Sequence, residues 1–557
     1  MEYTLSTQSR DYTQWTVSPE ITGEFDPLSH KLFSNDVFSL ADDDTITIHS
    51  SPVRKYEFHT GVLILQGNHM FGRTKNGRIL YKCIPDDKSL PIFLIAYDMR
   101  IGFNKNHKNK YVSFRVGDWD SKHPIGILTE TFGDVDNFEA FCSYQLWSKR
   151  LVYSTAKFNQ RVKYALKDIN EEAFVESIVS DPCYNIVDKT KDNVFTIDPQ
   201  GSVDLDDGFS FEQFGSRYKI TVHIANVFAV LGKMDVWEYL TQRVSTIYLP
   251  DDRRTLLPAI LSDNLCSLLQ DKRRITFAME VQFDTDTSEL VPDTVKFFNA
   301  VVRVSNNYCY EESKLRKNKD YKKMLSITKQ LDTNTIDSHD MVAYWMVAMN
   351  KFAAERLYSH QTGVFRVVSS NGETTVPATI TDTSTRQVLT SWNNVSGSYQ
   401  WFSDGLNAQH ELLNAKSYVH ITSPIRRLVD ILNQCLFSRY ILDIDLSENC
   451  GTFINKYEKE TERLNLDMKH IRKIQSECDL LYSCINQPEL MNDLHEGVIF
   501  NVSEDTYSVY IKSINRVTQF KSTDEYGVYS KHMFKLFLFD AENNGHRKIR
   551  IAVTNEE

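Results

Sequence analysis

Residues 194–211, Val-Phe-Thr-Ile-Asp-Pro-Gln-Gly-Ser-Val-Asp-Leu-Asp-Asp-Gly-Phe-Ser-Phe, constrain this chain more than any other stretch. Four carboxylates, Asp198, Asp204, Asp206 and Asp207, crowd into one short turn-rich segment between apolar runs, where like charges repel and burial disfavours the ionised form. The segment therefore demands a cation. The β-branched and aromatic residues up to Ile197 read as a strand, Pro199 and Gly201 as a turn, and Val203-Asp204-Leu205-Asp206 alternates with a period of two. That alternation predicts Asp204 and Asp206 on one face, with Val203 and Leu205 directed into a core. Magnesium is usually held by a few carboxylates, several waters and substrate phosphate. Two such ions can activate water on one side of a phosphodiester and stabilise the leaving oxygen on the other. A solvated acidic loop or a calcium loop is the plainer reading of an Asp-rich stretch. Against it, the closing Glu of an EF-hand is missing and the acids lie between two buried-looking runs.

The segment Asp-Pro-x-Gly-x-x-Asp-x-Asp-Asp is very similar to the signature of the ribonuclease II and ribonuclease R family, whose catalytic module is the RNB domain. Four further motifs stand in the same order: Val-His-Ile-Ala-Asn at 222–226, Ser-Thr-Ile-Tyr-Leu-Pro at 245–250, Leu-Leu-Pro-Ala-Ile-Leu-Ser-Asp-Asn-Leu-Cys-Ser-Leu at 256–268, and His-Ile-Thr-Ser-Pro-Ile-Arg-Arg at 420–427. The chain looks closest to the exosome-type eukaryotic members, without room before residue 53 for the N-terminal PIN nuclease domain that some of them carry. The resemblance implies an α/β multidomain protein, an RNB catalytic α/β module flanked by small β-barrel OB-fold domains. Residues 1–52 would be an arm or an incomplete cold-shock-like segment, 53–151 a cold-shock-type OB domain, 152–490 the RNB domain and 491–557 an S1-like OB domain.

The residues support that division. A chain of 557 residues is too long for one core. Strand-like runs at 61–65, 79–84, 92–96, 111–116 and 125–131 suggest a small barrel, and about five more after residue 497 match the OB count. Trp119 to Gly126, followed by Gly133-Asp134, resembles the second cold-shock domain of the exosome-type enzymes. Lys105, His107, Lys108 and Lys110 beside Tyr111 suit a strand-tracking groove as well as a solvated hairpin tip. A strand pair is expected at 36–40 and 45–49, and helices at 236–248, 341–358 and, as one long amphipathic element, 453–485. Residues 314–335 carry many basic side chains, for which a solvated helical face is the simpler reading.

Composition narrows the class without deciding it. Apolar residues at 41% and charged residues at 25% are ordinary for a folded chain, and no run has the length of a membrane span. The nine cysteines include no Cys-x-x-Cys pair, so neither a disulfide framework nor a zinc ribbon is expected. Reduced thiols in the cytoplasm, or the nucleus, are the simplest reading. The net charge of -11 is unusual for a nucleic-acid binder, yet a local basic cleft can coexist with an acidic exterior.

Ser423 and Pro424 read as the N-cap and first residue of a helix, which would project Arg426 and Arg427 from a first turn that already favours an anion. A pair of surface arginines is the alternative. By resemblance, Arg426 matches the family's catalytic arginine, Tyr248 a tyrosine that stacks on a base at the RNA 3′ end, Tyr310 an aromatic facing the RNA, and Glu477 a glutamate contacting the terminal nucleotide. Without it, Tyr248 would read as a packed edge residue and Glu477 as a solvated helix position. Departures from the family pattern are Asn226 for the usual Asp, Gly208 for the usual Ala, and Ala343-Tyr344 where many relatives have glutamates.

The expected protein is thus a magnesium-dependent, processive, hydrolytic 3′-to-5′ exoribonuclease that degrades single-stranded RNA to nucleoside 5′-monophosphates. It would use two Mg2+, with Mn2+ as the alternative, and act as a monomer with no membrane attachment. Asp198, Asp204 and Asp207 are assigned to metal, Asp206 to the terminal ribose hydroxyl or to metal as well, and Arg426 to phosphate charge. The rivals are a catalytically inactive RNB-fold scaffold that binds RNA and a metal-dependent DNA nuclease.

Overall fold

Strand-length runs of apolar, β-branched and aromatic residues, parted by turns, produce two closed barrels in the computed structural model. It describes residues 2–21, 25–41, 43–98, 107–240, 242–369, 376–393, 397–540 and 547–554. The chain divides into two units. The first comprises Met1–Val152, Leu249–Asp252 and Arg472–Glu557, and the second Tyr153–Tyr248 and Arg253–Ile471.

In the first unit the expected barrel closes in the order His59–Leu63, Leu80–Pro85, Phe93–Ala96, Ile125–Asp134, Lys110–Val116. Leu63, Tyr81, Phe93, Ile95, Val112 and Phe114 fill it. Gly126 is required there, because a Cβ would lie 2.8 Å from Ile95 Cγ1 and 2.9 Å from Phe114 Cδ2. Among the described residues the basic-aromatic groove does not form. Tyr111 is fully buried and stacks on Tyr144, while Lys108 and Lys110 pair with Asp136 and Asp134. Lys105 lies outside the described residues. Ahead of the barrel, the expected pair Val37–Leu40 and Ile46–Ser50 belongs to a four-stranded sheet with Glu2–Thr7 and Trp15–Ser18. The five C-terminal strands form a sheet ordered Arg516–Lys521, Thr506–Ile511, His495–Ser503, Lys531–Asp540, Arg547–Val553.

The second unit is built on another closed barrel, of strands β1 (Ile186–Asp198), β2 (Asp207–Phe214), β3 (Arg217–Ala225), β4 (Arg273–Asp284) and β5 (Glu289–Cys309). The parallel pairing of β1 with β5 closes it and sets Asp198 opposite Cys309. One rim therefore carries the ends of β1, β3 and β5 and the start of β2, which is where the aspartate segment lies. Helices α1 (Val227–Met234), α2 (Lys319–Leu331), α3 (Ser338–Ser359) and α4 (Leu428–Tyr440) accompany the barrel.

Three helical expectations change. Between 236 and 248 only Trp237–Tyr239 makes a helical turn, and the chain then runs to the short strand Ile247–Tyr248. Buried Trp237 anchors it against Phe228 and Phe453, and the β-branched Val244, Thr246 and Ile247 favour extended backbone. The element expected at 453–485 is two helices, Glu448–Lys459 and Thr461–Asn486, parted at Glu460. The third change, at Ser423, belongs to the site below. All nine cysteines are free thiols, and among the described residues no helix is long and apolar enough to cross a membrane.

Candidate active site

The loop from Asp198 to Asp207 is strapped to its neighbours by backbone groups. Ser202 N donates to Pro199 O (3.1 Å), forming the expected turn, and Gly201 takes φ +84. Leu205 N donates to Ser267 Oγ (3.1 Å), and that hydroxyl donates to Val203 O (2.7 Å). Leu205 packs with Val194, Leu268, Val302 and Val304. Val203, expected in the core, is instead 42% exposed, because the segment before Asp207 is a loop and not a strand.

The Arg426 turn arrives from the other side. Helix α4 begins at Leu428, four residues after Pro424, with Arg427 at the N-cap position. Arg426 N and Arg427 N close a turn on Ser423 O (3.3 and 3.0 Å). Asp430 causes the delay. Fully buried in the first turn of α4, it accepts from Ser423 N (2.7 Å) and takes Arg427 in a two-point ion pair at 2.8 and 2.9 Å. Arg427 is thereby committed to a carboxylate within the fold. Ser245 Oγ and Thr246 N both donate to Arg426 O (2.9 Å each), so the motif at 245–250 holds this turn in place.

The four aspartates divide into two kinds. Asp206, 3% exposed, accepts from Ile425 N on Oδ1 (2.9 Å) and from Arg426 Nε on Oδ2 (3.3 Å). Burial pushes its carboxyl up to about 7, although Arg426 acts in the opposite direction. Asp204 accepts the Tyr248 hydroxyl (2.6 Å) and pairs with Arg253 (3.0 Å). Asp198 and Asp207, by contrast, each keep one buried carboxylate oxygen without a hydrogen-bond partner among the described residues. Burial and the charge of Asp204 raise Asp198 to about 6. Burial and the charges of Asp198 and Asp206 hold Asp207 far above the usual carboxylate range. Two bare, crowded carboxylates fit a hard divalent cation that completes its shell with water and phosphate. Among the described residues no three His, Cys, Asp or Glu side chains stand ready as a fuller cage.

The aromatic positions differ from one another. Tyr248 is 37% exposed, and its hydroxyl is held by Asp204. Tyr310 reaches the rim, since its N–H donates to Asp198 O (3.1 Å), and burial followed by Asp207 and Asp198 raises its hydroxyl pKa. One face of its ring is already covered by His339, stacked at 3.7 Å and 8°. Glu477 lies in the first unit, 3.9 Å from Lys473.

Arg253 is the residue that sequence reasoning missed. It bridges Asp204 and Asp263, reaching the latter at 2.9 and 2.8 Å, from a two-residue strand paired with Ile247–Tyr248. Its position after the Tyr-Leu-Pro motif, in Asp-Asp-Arg-Arg, was the available signal. Asn226 also finds an account. Its Oδ1 accepts from Ala229 N at the start of α1 (2.9 Å), and its Nδ2 donates to Asn299 Oδ1 (2.8 Å), a bond that an Asp carboxylate would lack.

The RNB domain matches this chain at residues 186–336 and 313–443. DIS3-like exonuclease 2 of Schizosaccharomyces pombe is 27% identical over 219 residues, 37% of this chain and 23% of that relative. The matched stretch thus spans less than a quarter of the curated relative's length. Among solved structures, Mycoplasma genitalium RNase R in complex with ribose-methylated single-stranded RNA superposes with a TM-score of 0.71 at 15% identity, covering 99% of this chain and 100% of that one. Yeast Ssd1, a pseudonuclease, superposes with a TM-score of 0.61 at 14% identity, covering 94% and 78%. At such identities the structural likeness concerns the fold, a mixed α/β architecture with β-barrels.

Proposed function

We propose, from the RNB domain that residues 186–443 carry and that relates this chain to the ribonuclease II and ribonuclease R family, that it is a processive hydrolytic 3′-to-5′ exoribonuclease. Single-stranded RNA would be its substrate and nucleoside 5′-monophosphates its products. The observation that carries the reading is the pair of bare buried oxygens on Asp198 and Asp207, raised beside a half-exposed Arg426. A divalent cation such as Mg2+, held by these two carboxylates when bound, would supply an activated water and charge for the leaving oxygen.

The chain's own groups do the rest. Arg426 is oriented by Asp206 through Nε and by Ser423 through Nη2 (3.1 Å). Its Nη1 remains to donate to the scissile phosphate, a preorganised charge that need not move during the reaction. Asp206, buried and held in turn by Ile425 N, aims the Arg426 guanidinium. The exposed ring of Tyr248 offers a stacking face for the last base, which makes binding tolerant of sequence. Contacts to the 2′-hydroxyl would favour RNA over DNA. The barrel at 59–134 and the sheet at 495–553 are read as cold-shock-like and S1-like OB domains.

Asp206→Asn tests the assignment. It should abolish degradation of 3′-labelled and 5′-labelled RNA in magnesium while leaving RNA binding largely intact, and EDTA should stop the parent enzyme. A variant that degrades RNA at the parental rate would refute the role. A parent that binds RNA without shortening it would favour the second reading, a silent RNB-fold scaffold, which the likeness to a pseudonuclease brings forward. Equal cutting of single-stranded DNA would favour the third.

A further inference from the structure

Six cations, Lys314, Arg316, Lys317, Lys319, Lys322 and Lys323, occur within ten residues of a chain with net charge -11. All six are exposed. Lys314 and Lys317 bracket a 3-10 turn, whose period of three puts them on one side. Lys319, Lys322 and Lys323 share a face of α2, while Tyr321, Met324, Ile327 and Thr328 bury the other.

This arrangement costs the helix stability. Cations in a first turn oppose the helix dipole, and like charges three and four residues apart repel. The neighbouring acids do not offset it. Glu311 is taken by Arg316 (2.8 Å), Asp320 accepts from Asn193 (2.7 Å), and Lys323 lies over the Tyr218 ring at 4.5 Å. Among the described residues Lys314, Lys317, Lys319 and Lys322 have no ion-pair partner. The patch also lies near the aspartate rim. Asn318, the N-cap of α2, donates to the Tyr308 hydroxyl (3.2 Å), next to the Cys309 that pairs with Asp198. Lys314 follows Cys309 by five residues, a reach of at most about 18 Å.

We propose that the exposed lysines at 314–322 are a second contact surface for single-stranded RNA, gripping phosphates of the strand upstream of the 3′ end held at the aspartate rim. The surface rests on the exoribonuclease reading for the identity of its ligand. Its chemistry is that of point charges on flexible stems, which hold a backbone without reading bases.

The test is a quadruple variant, Lys314→Gln, Lys317→Gln, Lys319→Gln and Lys322→Gln, in the full chain. It leaves Arg316 and Lys323 with their partners. Affinity for a long single-stranded RNA should fall at least tenfold, and its salt dependence should become shallower by about 0.7 for each phosphate no longer neutralised. Cleavage of a short oligonucleotide that reaches only the rim should be unchanged. Thermal stability should hold or rise, since the removed charges opposed the helix dipole, whereas a structural role predicts its fall. Unchanged affinity and salt slope for long RNA, in a parent that cleaves RNA, overturn this surface alone. A parent that neither binds nor cleaves RNA overturns the exoribonuclease reading and this surface with it. Loss of binding to poly-glutamate with RNA binding intact would assign the patch to an acidic protein and overturn the RNA surface.

Discussion

Asp198→Asn should stabilise the chain when divalent cations are absent, the reverse of what removing a well-paired carboxylate would do. Burial, and then Asp204, push Asp198 up to about 6, against about 3.9 for an ordinary aspartate. At pH 7 the ionised form therefore costs the folded state about 3 kcal/mol. The sign follows from a folded pKa above the unfolded one. This stability is fully present below pH about 4, is lost as the pH rises through 6, and stays lost above it. Asn keeps the shape and the hydrogen bond with Thr196 while removing the charge. Thermal unfolding followed by circular dichroism in EDTA at pH 7 should show the variant melting several degrees above the parent, with the gap closing toward pH 4. Magnesium should raise the parent's transition and leave the variant's nearly unmoved, because a bound ligand stabilises only the state that holds it. A variant less stable than its parent in EDTA, or equal magnesium shifts in both, would show that Asp198 carries no unmet charge.

Arg253→Gln leaves Asp204 and Asp263 without their shared cation, so stability in EDTA should drop by about 1–2 kcal/mol, the pair being only partly buried. The freed Asp204 should then tighten divalent-cation binding, read by calorimetric titration, and unchanged values for both would remove the bridge as an organising contact. Asn226→Asp replaces a donor to Asn299 by an acceptor, and should cost about 1–3 kcal/mol in thermal unfolding. A neutral outcome would mean that Asn299 can turn its amide despite donating to Tyr184 O (3.0 Å). His223 is buried between Ser210 (3.0 Å) and Thr276 (3.3 Å), and burial lowers its pKa to about 3. Its contribution is present above pH about 6.5 and is lost as the pH falls toward 3, at up to about 1.4 kcal/mol per unit. His223→Gln should therefore flatten the acid limb of the stability curve, and parallel limbs in both proteins would refute a neutral buried ring.

Much of this was legible in the sequence where local pattern and motif agreed. The strands of the 59–134 barrel follow from short β-like runs parted by Gly, Asn and Asp, and the turn at Pro199 and Gly201 from residue type. What failed was decided by side-chain and strand contacts that a local pattern does not announce. Ser423 and Pro424 carry every local sign of a helix start, but buried Asp430 draws Ser423 N and Arg427 to itself, and the helix waits until Leu428. The stretch after Trp237, expected as a helix, is extended by its β-branched residues and by the pairing of Tyr248 with Arg253. Tyr111 beside lysines reads as a stacking groove until Tyr144 covers it.

The aspartates make the same point about the site. In the sequence Asp198, Asp204, Asp206 and Asp207 are four acids of one signature, and only Asp206 is set apart, for the terminal ribose hydroxyl or a shared metal. The fold separates them by what distant motifs donate. Arg253 and Tyr248 satisfy Asp204, and the turn at 423–427 satisfies Asp206. Among the described residues nothing comparable reaches the inner oxygens of Asp198 and Asp207. Burial raises Asp206 too, to about 7, but its two oxygens are occupied by a backbone N–H and a guanidinium, while the bare oxygens of Asp198 and Asp207 are left to take a proton or a cation. Substitutions at the four positions should therefore not share one phenotype. Neutralising Asp198 or Asp207 removes the demand for a cation, whereas neutralising Asp206 leaves Arg426 without the charge that aims it.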